Sequence, residues 1–367
     1  MANCLKKAWE PLADTIQFID FPKLKVINMQ GEPQEQSIGQ ALFIQKRPEL
    51  KRRVLLCGHM DTVYGKDHPF QFLQSKKPHT LIGPGVADMK GGLLVMQQAL
   101  ESFEQLPLAQ TLGWDVYINA DEEIGSPGSS QFMDTIAKRY QAALLYEPAM
   151  DPEGTLAKNR RGSGKFTIIA TGKAAHVGRA FHEGRNAIAY LAETIVAIHA
   201  LNEQCNPEIT INIGRIAGGE ALNMVPDKAV VKLDIRITKP TDAEWIVNQL
   251  QHILHQQQRP DYALSLHGEF TRPVKQIDAG TERLFERIKT KAKQLGLSIN
   301  WKDSGGCCDG NNLAKHQIPV IDTLGVRGGC IHSEEEFICL ESLSERSALS
   351  FLILEDLASG GLEELTA

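Results

Sequence analysis

Long hydrophobic runs are missing from this 367-residue chain. No segment offers the ~18 uninterrupted apolar residues of a membrane span, and the opening MANCLKKAWEPLADTIQ lacks the apolar core of a secretion signal. A cytoplasmic chain is therefore the expectation. Positive charge is not in excess either: 39 Lys and Arg stand against 45 Asp and Glu, so a phosphate-tracking surface for nucleic acid is not expected. Paired cysteine spacing is absent. The seven cysteines (Cys4, Cys57, Cys205, Cys307, Cys308, Cys330 and Cys339) are odd in number and scattered, with no C-x-x-C, which excludes a disulfide framework and a thiolate zinc site. They read as reduced thiols. Internal repeats and low-complexity tracts are lacking. A dinucleotide fingerprint is missing too: in GPGVADMKGG, Asp88 stands where the third glycine of G-x-G-x-x-G belongs.

What is present is an alternation of strand-like and helix-like segments in a chain long enough for two domains. LKVINM, ALFIQK, RVLLCG, DVYINA and AALLYE are short apolar runs. Between them, GGLLVMQQALESFEQL puts Leu93, Met96, Leu100 and Phe103 at helical spacing, and SPGSSQFMDTIAKRY does the same with Phe132, Ile136 and Tyr140, with Pro127 suited to a first turn. This predicts an α/β domain around a mixed, largely buried sheet. After Gly164 the order becomes β-α-β-β-α-β, from KFTIIATG to YALSLHGEF, the pattern of a ferredoxin-like unit. From Val274 the α/β character returns, with a helix over TERLFERIKTKAKQLG. The reading is a discontinuous larger domain, 1–163 and 274–367, with a smaller domain, 164–273, inserted into it.

Chemistry-bearing residues gather at the ends of the apolar runs. GHMDTV follows RVLLC, so His59 and Asp61 sit two apart and, in an extended chain, face one side. On its own such a pair is as readily a turn. Further along come Asp88 in GPGVADMKGG, Asp121, Glu122 and Glu123 in NADEEIGS, Glu147 in LLYEPA and His332 in GGCIHSEEEF. Open α/β sheets place their binding crevices at such strand ends. A His, Asp and Glu set without cysteine suits catalytic zinc, and its carboxylates are numerous enough for two bridged ions.

Taken together, GHMDTV, GPGVADMKGG, DEEIGS, YEPA, GKAAHVG and IHSEEEF resemble, in order and spacing over most of the chain, the motif set of the co-catalytic zinc hydrolases. That family includes bacterial glutamate carboxypeptidase, acetylornithine deacetylase, succinyl-diaminopimelate desuccinylase and aminoacylase. The resemblance implies two Zn2+ per chain, with Co2+ or Mn2+ as substitutes, and Asp88 bridging them. His59 and Glu147 would complete one site, Glu123 and His332 the other. Asp61 would orient His59, and Glu122 would be the general base. The inserted domain would be a lid and homodimerisation module. From it His176 could donate to a developing oxyanion, Asn223 could add a neutral donor, and Arg236, on the polar side of AVVKLDIRI, could take a substrate carboxylate.

One stretch departs from the pattern. SGGCCDGNN resembles the Gly-rich turn of the desuccinylase branch but carries Cys307 and Cys308 where hydroxyl residues are expected, while IHSEEEF and the lid motif resemble the glutamate carboxypeptidase branch. The cysteines read as packing residues beside the site. The expectation is an amide hydrolase acting on a small N-acyl amino acid or short peptide with a free α-carboxylate, glutamate carboxypeptidase first. An N-acyl amino acid deacylase or a dipeptidase is the alternative. An inactive binding relative is disfavoured, because every proposed ligand and the base are present.

Overall fold

The structure, a computed structural model, describes residues 1–75, 77–204 and 208–365. Cys205 lies outside them. The chain divides into two compact units: 1–22, 38–160 and 275–367 form the first, and 23–37 with 161–274 form the second.

The first unit is built on a six-stranded sheet in the order Thr15–Ile19, Ala41–Lys46, Gly113–Asn119, Arg53–His59, Ala142–Leu145, Val320–Ile321. The first three pair antiparallel and the rest parallel, the mixed sheet anticipated above. RVLLCGH and GWDVYIN are buried along their whole length, because helices cover both faces of this sheet and leave no side for polar residues. Alternation sorts the side chains. Val54 and Leu56 join a core with Leu100, Ile288 and Ile353, while Leu55 and Cys57 face the other way, onto Met133 and Leu313. Truncating Leu55 or Leu56 to alanine costs about 2–5 kcal/mol at sites this closed.

Register decides where the chemistry falls. His59 pairs with Asn119 and Cys57 with Leu145, so the three parallel strands end within two residues of one another. Residues 120–123 and Glu147 therefore leave the sheet beside His59. Asp88 arrives from the turn before the helix Gly92–Phe103. That helix comes so near the sheet that a Cβ on Gly92 would stand 2.0 Å from the Tyr146 carbonyl oxygen, so only glycine fits there. The next helix starts at Ser129, after Pro127 rather than at it, and Asp121 caps it by accepting from the amides of Gly128 (2.8 Å) and Ser129 (3.1 Å).

The second unit is an antiparallel sheet in the order Thr210–Gly218, Lys228–Ile237, Gly162–Thr171, Ala263–Arg272. The helices Ala187–His199 and Pro240–Gln256 cover one face, packing Leu191 and Ile246 with Phe166, Ile168, Val231 and Leu233 of the sheet. In KAVVKLDIRI the odd-numbered apolar residues are buried and Arg236 is not, as period-two patterning requires. One stretch departs from the sequence-based division at 163 and 274: the hairpin Leu24–Ile27 with Pro33–Gln36 packs with this unit, not with the larger one. Ile169 and Val230 project from the sheet face that carries no helix, and a Cβ on Gly31 would touch both at 3.2 Å. Lys232 Nζ also donates to the Ile27 carbonyl at 2.6 Å. No helix among the described residues is long and apolar enough to cross a membrane.

Candidate metal centre

Seven of the sequence-selected residues converge in the first unit. His59, the last residue of its strand, is buried, with Nδ1 3.1 Å from the Asp61 carbonyl oxygen and 3.4 Å from Asp61 Oδ1. A proton on Nδ1 thus has acceptors, and Nε2 is turned toward the carboxylates: 3.0 Å from Asp88 Oδ1 and 3.7 Å from Glu147 Oε2. On the other side of Asp88, His332 Nε2 lies 3.2 Å from Asp88 Oδ2 and 3.3 Å from Glu123 Oε2. The two oxygens of Asp88 therefore face two different His and Glu pairs. Asp61 reaches both halves, since its Oδ2 accepts from the Glu123 amide at 3.0 Å. Glu122 lines a cavity of about 410 Å3 together with Asp88, Glu123, Glu147 and His332.

The electrostatics describe a place for cations. Asp88 and Glu147 are each only 8% exposed, and crowding buried carboxylates is unfavourable unless positive charge is supplied. Burial pushes the Asp88 carboxyl up, but His332 and His59 beside it prevail and hold it below the usual range. For Glu147 burial prevails over His59, and its pKa is raised. The imidazoles show the same field from the other side. Asp88 and Glu123 push His332 up to about 10, against burial. For His59 burial favours the neutral ring, yet Asp61, Asp88 and Glu147 raise its pKa well above the ordinary value. The cluster thus favours positive charge, and the His, Asp and Glu donor set fits hard-to-borderline metals. Among the described residues, ligand atoms of His59, Asp88 and Glu123 all lie within 4.8 Å of one another.

The cysteines take a different part. Cys307 and Cys308 line the cavity wall, but Cys308 is buried at the start of the helix Asp309–Ala314, where its Sγ accepts from the Gly310 amide at 3.3 Å. Burial pushes its thiol up, which keeps the thiol protonated.

His176, Asn223 and Arg236 belong to the second unit. His176 pairs with Met224 across a short antiparallel bridge, and the Val177 amide donates to the Asn223 carbonyl at 3.0 Å, so the first two candidates are neighbours. His176 Nδ1 accepts from the Gly178 amide at 3.1 Å. A neutral ring then carries its proton on Nε2, as an oxyanion donor must. Arg236 is at the far end of the strand Lys228–Ile237 and holds Asp234 with both arms of its fork, Nε to Oδ1 at 2.6 Å and Nη2 to Oδ2 at 3.1 Å.

Sequence reading passed over Arg160, which forms part of the cavity wall. It is 7% exposed, and Asp322 receives its guanidinium at 2.7 and 3.0 Å and Lys275 at 2.7 Å. Two buried cations share one carboxylate. The signal available was the RR pair closing the strand Leu156–Arg160. Asp309 was also overlooked: it accepts from Asn119 Nδ2 at 2.5 Å and Ser126 Oγ at 2.6 Å, bracketing the loop that carries Glu122 and Glu123.

Comparison with known proteins shows what the chain is similar to. Residues 159–261 match the model of the M20 peptidase dimerisation domain. Carboxypeptidase G2 of Pseudomonas sp. (strain RS-16) is 26% identical over 315 residues, covering 84% of this chain and 75% of that one. The succinyl-diaminopimelate desuccinylase of Nitrosococcus oceani is 28% identical over 287 residues, 75% of this chain and 74% of its own. Among solved structures, the Bacillus subtilis YXEP protein, described as a dinuclear metal-binding peptidase of the M20 family, superposes with a TM-score of 0.63 at 15% identity over 97% of this chain and 91% of that one. These relatives align along most of their length, and over that length the chain is similar to the metal-dependent peptidases and deacylases to which the M20 dimerisation-domain model belongs.

Proposed function

We propose that the protein is a dizinc amide hydrolase that releases an amino acid with a free α-carboxylate, of the glutamate carboxypeptidase type. The observation that carries this is the division of Asp88, one oxygen toward His59 and Glu147, the other toward His332 and Glu123. His59, Glu147 and Asp88 would hold one ion and His332, Glu123 and Asp88 the second. Bound there, the ions would supply Lewis acidity toward an amide carbonyl and make water easier to deprotonate. Glu122, on the cavity wall beside this set, takes the proton of the attacking water and delivers it to the leaving nitrogen, so that water adds across the amide and no other reactant is consumed. Asp61 keeps the His59 ring and the Glu123 backbone in register for both ions.

The lid residues point to a homodimer. Eight residues separate Lys228, near His176 and Asn223, from Arg236, roughly 26 Å at ~3.3 Å per residue of strand. One lid cannot present both ends to a single reacting carbonyl. In a twofold dimer, His176 and Asn223 of one copy serve the other copy's site, donating to the developing oxyanion, while Arg236 takes the α-carboxylate in its own. The dimerisation-domain match at 159–261 supports this arrangement. A cytoplasmic location belongs to the same reading.

Arg160 places a guanidinium in the cavity wall, with Asp322 and Lys275 packed behind it, and that cation suits an acidic group on the substrate. A glutamate side chain meets that need in the first reading. A dicarboxylic acyl group meets it in the second, an N-acyl amino acid deacylase of the desuccinylase kind. Elemental analysis after zinc reconstitution tests the metal centre: two ions per chain are expected, and a saturating stoichiometry of one overturns the shared-carboxylate reading. Comparing N-acyl glutamates with N-succinyl amino acids separates the two substrates.

A further inference from the structure

We infer that Glu336 is the positioning residue that sets the orientation of Asp88, an inference that rests on Asp88 being the ligand common to both metal sites. The SEEE tract after His332 contains three glutamates that are chemically alike, yet their surroundings differ. Glu334 and Glu335 are exposed, whereas Glu336 is only 1% exposed. Its Oε1 accepts from the amides of Ala87 (2.9 Å) and Asp88 (3.0 Å), and its Oε2 from the amide of Gly85 (2.9 Å). The main chain repeats the contact, since the Gly83 amide donates to the Glu336 carbonyl oxygen at 3.1 Å, and the next residue, Phe337, pairs with Ile82.

Three amides converging on one carboxylate form a charge-assisted cradle that locks the turn 83–88 to the segment carrying His332. Asp88 is bonded through its own amide, so the clamp holds the backbone from which its side chain pivots. That side chain must satisfy two partners in opposite directions, His59 at 3.0 Å and His332 at 3.2 Å. A small rotation toward one lengthens the other. Releasing Asp88 therefore weakens both sites together, and loss of such an outer partner costs 10–100-fold in metal affinity. No isosteric neutral replacement suffices: in Glu336→Gln one of the three amides must face an NH2 group, donor to donor.

The test is Glu336→Gln, with Glu334→Gln and Glu335→Gln as surface controls and Ile353→Val as a core control of comparable thermal destabilisation. Zinc is titrated into each metal-free protein against a competing chelator. Both binding steps should weaken by about 10–100-fold in Glu336→Gln alone. Wild-type affinity in that variant, or equal weakening in the destabilised core control, overturns the assignment. Hydrogen exchange at Gly85, Ala87 and Asp88 in the metal-free wild type decides the clamp should the variant not fold: slow exchange supports it, and exchange at free-loop rates overturns it. That measurement needs no metal, so failure to bind two ions sinks the dinuclear reading while leaving the clamp separately judged.

Discussion

The two units hold their chemical groups in opposite ways. In the first, His59, Glu123 and Glu147 stand at or just beyond the ends of three fully buried strands, Asp88 and His332 come in from turns, and each is held by at least one other residue of the same cluster. In the second, His176 and Asn223 lie at one end of the sheet, and Arg236 lies at the other, bound to its own neighbour Asp234. Metal ligands must be held to within fractions of an ångström, which a buried parallel sheet provides. Groups that meet substrate can be presented by a separate body, because they act only once substrate has arrived. In the proposed reading the larger unit supplies every metal ligand, and the smaller supplies groups that act on substrate.

The sharpest way to break this contrast is at the base. Glu122→Gln should retain two ions, since Glu122 lies outside the proposed ligand set, and should lower kcat by about 10²–10⁴, the range for a lost general base. Metal analysis beside steady-state kinetics checks both halves, and a variant that loses an ion would make Glu122 a ligand.

His176→Ala is next, at about 10²–10³ in kcat, as for one oxyanion donor. Here the comparison can be sharpened by mixing. If His176 serves the other copy's site, a mixed dimer of Glu122→Gln and His176→Ala chains contains one site with both groups intact, and co-expression should restore a measurable part of the activity. Restored activity is incompatible with action in the same chain, and a protein that sediments only as a monomer removes the premise.

A smaller effect is expected at Arg236. Amidating the substrate's α-carboxylate should cost about 2 kcal/mol in kcat/KM, the low end for stranding a charge partner, because Asp234 remains to occupy the fork. Arg236→Ala should abolish the preference for acid over amide. Equal hydrolysis of acid and amide by the wild type would show that the Arg236–Asp234 pair does not open to substrate.

Much of the larger unit was legible because its signals are local. A continuous apolar run followed by a polar motif marks a buried parallel strand and what it presents, as with RVLLC before His59 and DVYIN before Glu122. The smaller unit was legible for the same reason, its strand Lys228–Ile237 alternating cleanly from Lys232 on. The Arg236–Asp234 pair was also in reach, since residues two apart on a strand share a face. Other features had no local signature. Nothing in LKVINM says that its hairpin covers Ile169 and Val230, some 140 residues or more downstream, rather than the sheet that follows it.

The sequence by itself determined the main elements, their order and the candidate ligands, because hydrophobic periodicity and side-chain chemistry are properties of short stretches. Tertiary structure alone decided which of three adjacent glutamates is buried, that Asp309 and Glu336 bind backbone and side chains far along the chain, and that Arg160 lies in the cavity wall. The physical reason is burial. A carboxylate or guanidinium is identical in sequence whether it meets water or three amides, and only the packed fold removes the water and makes the partner obligatory.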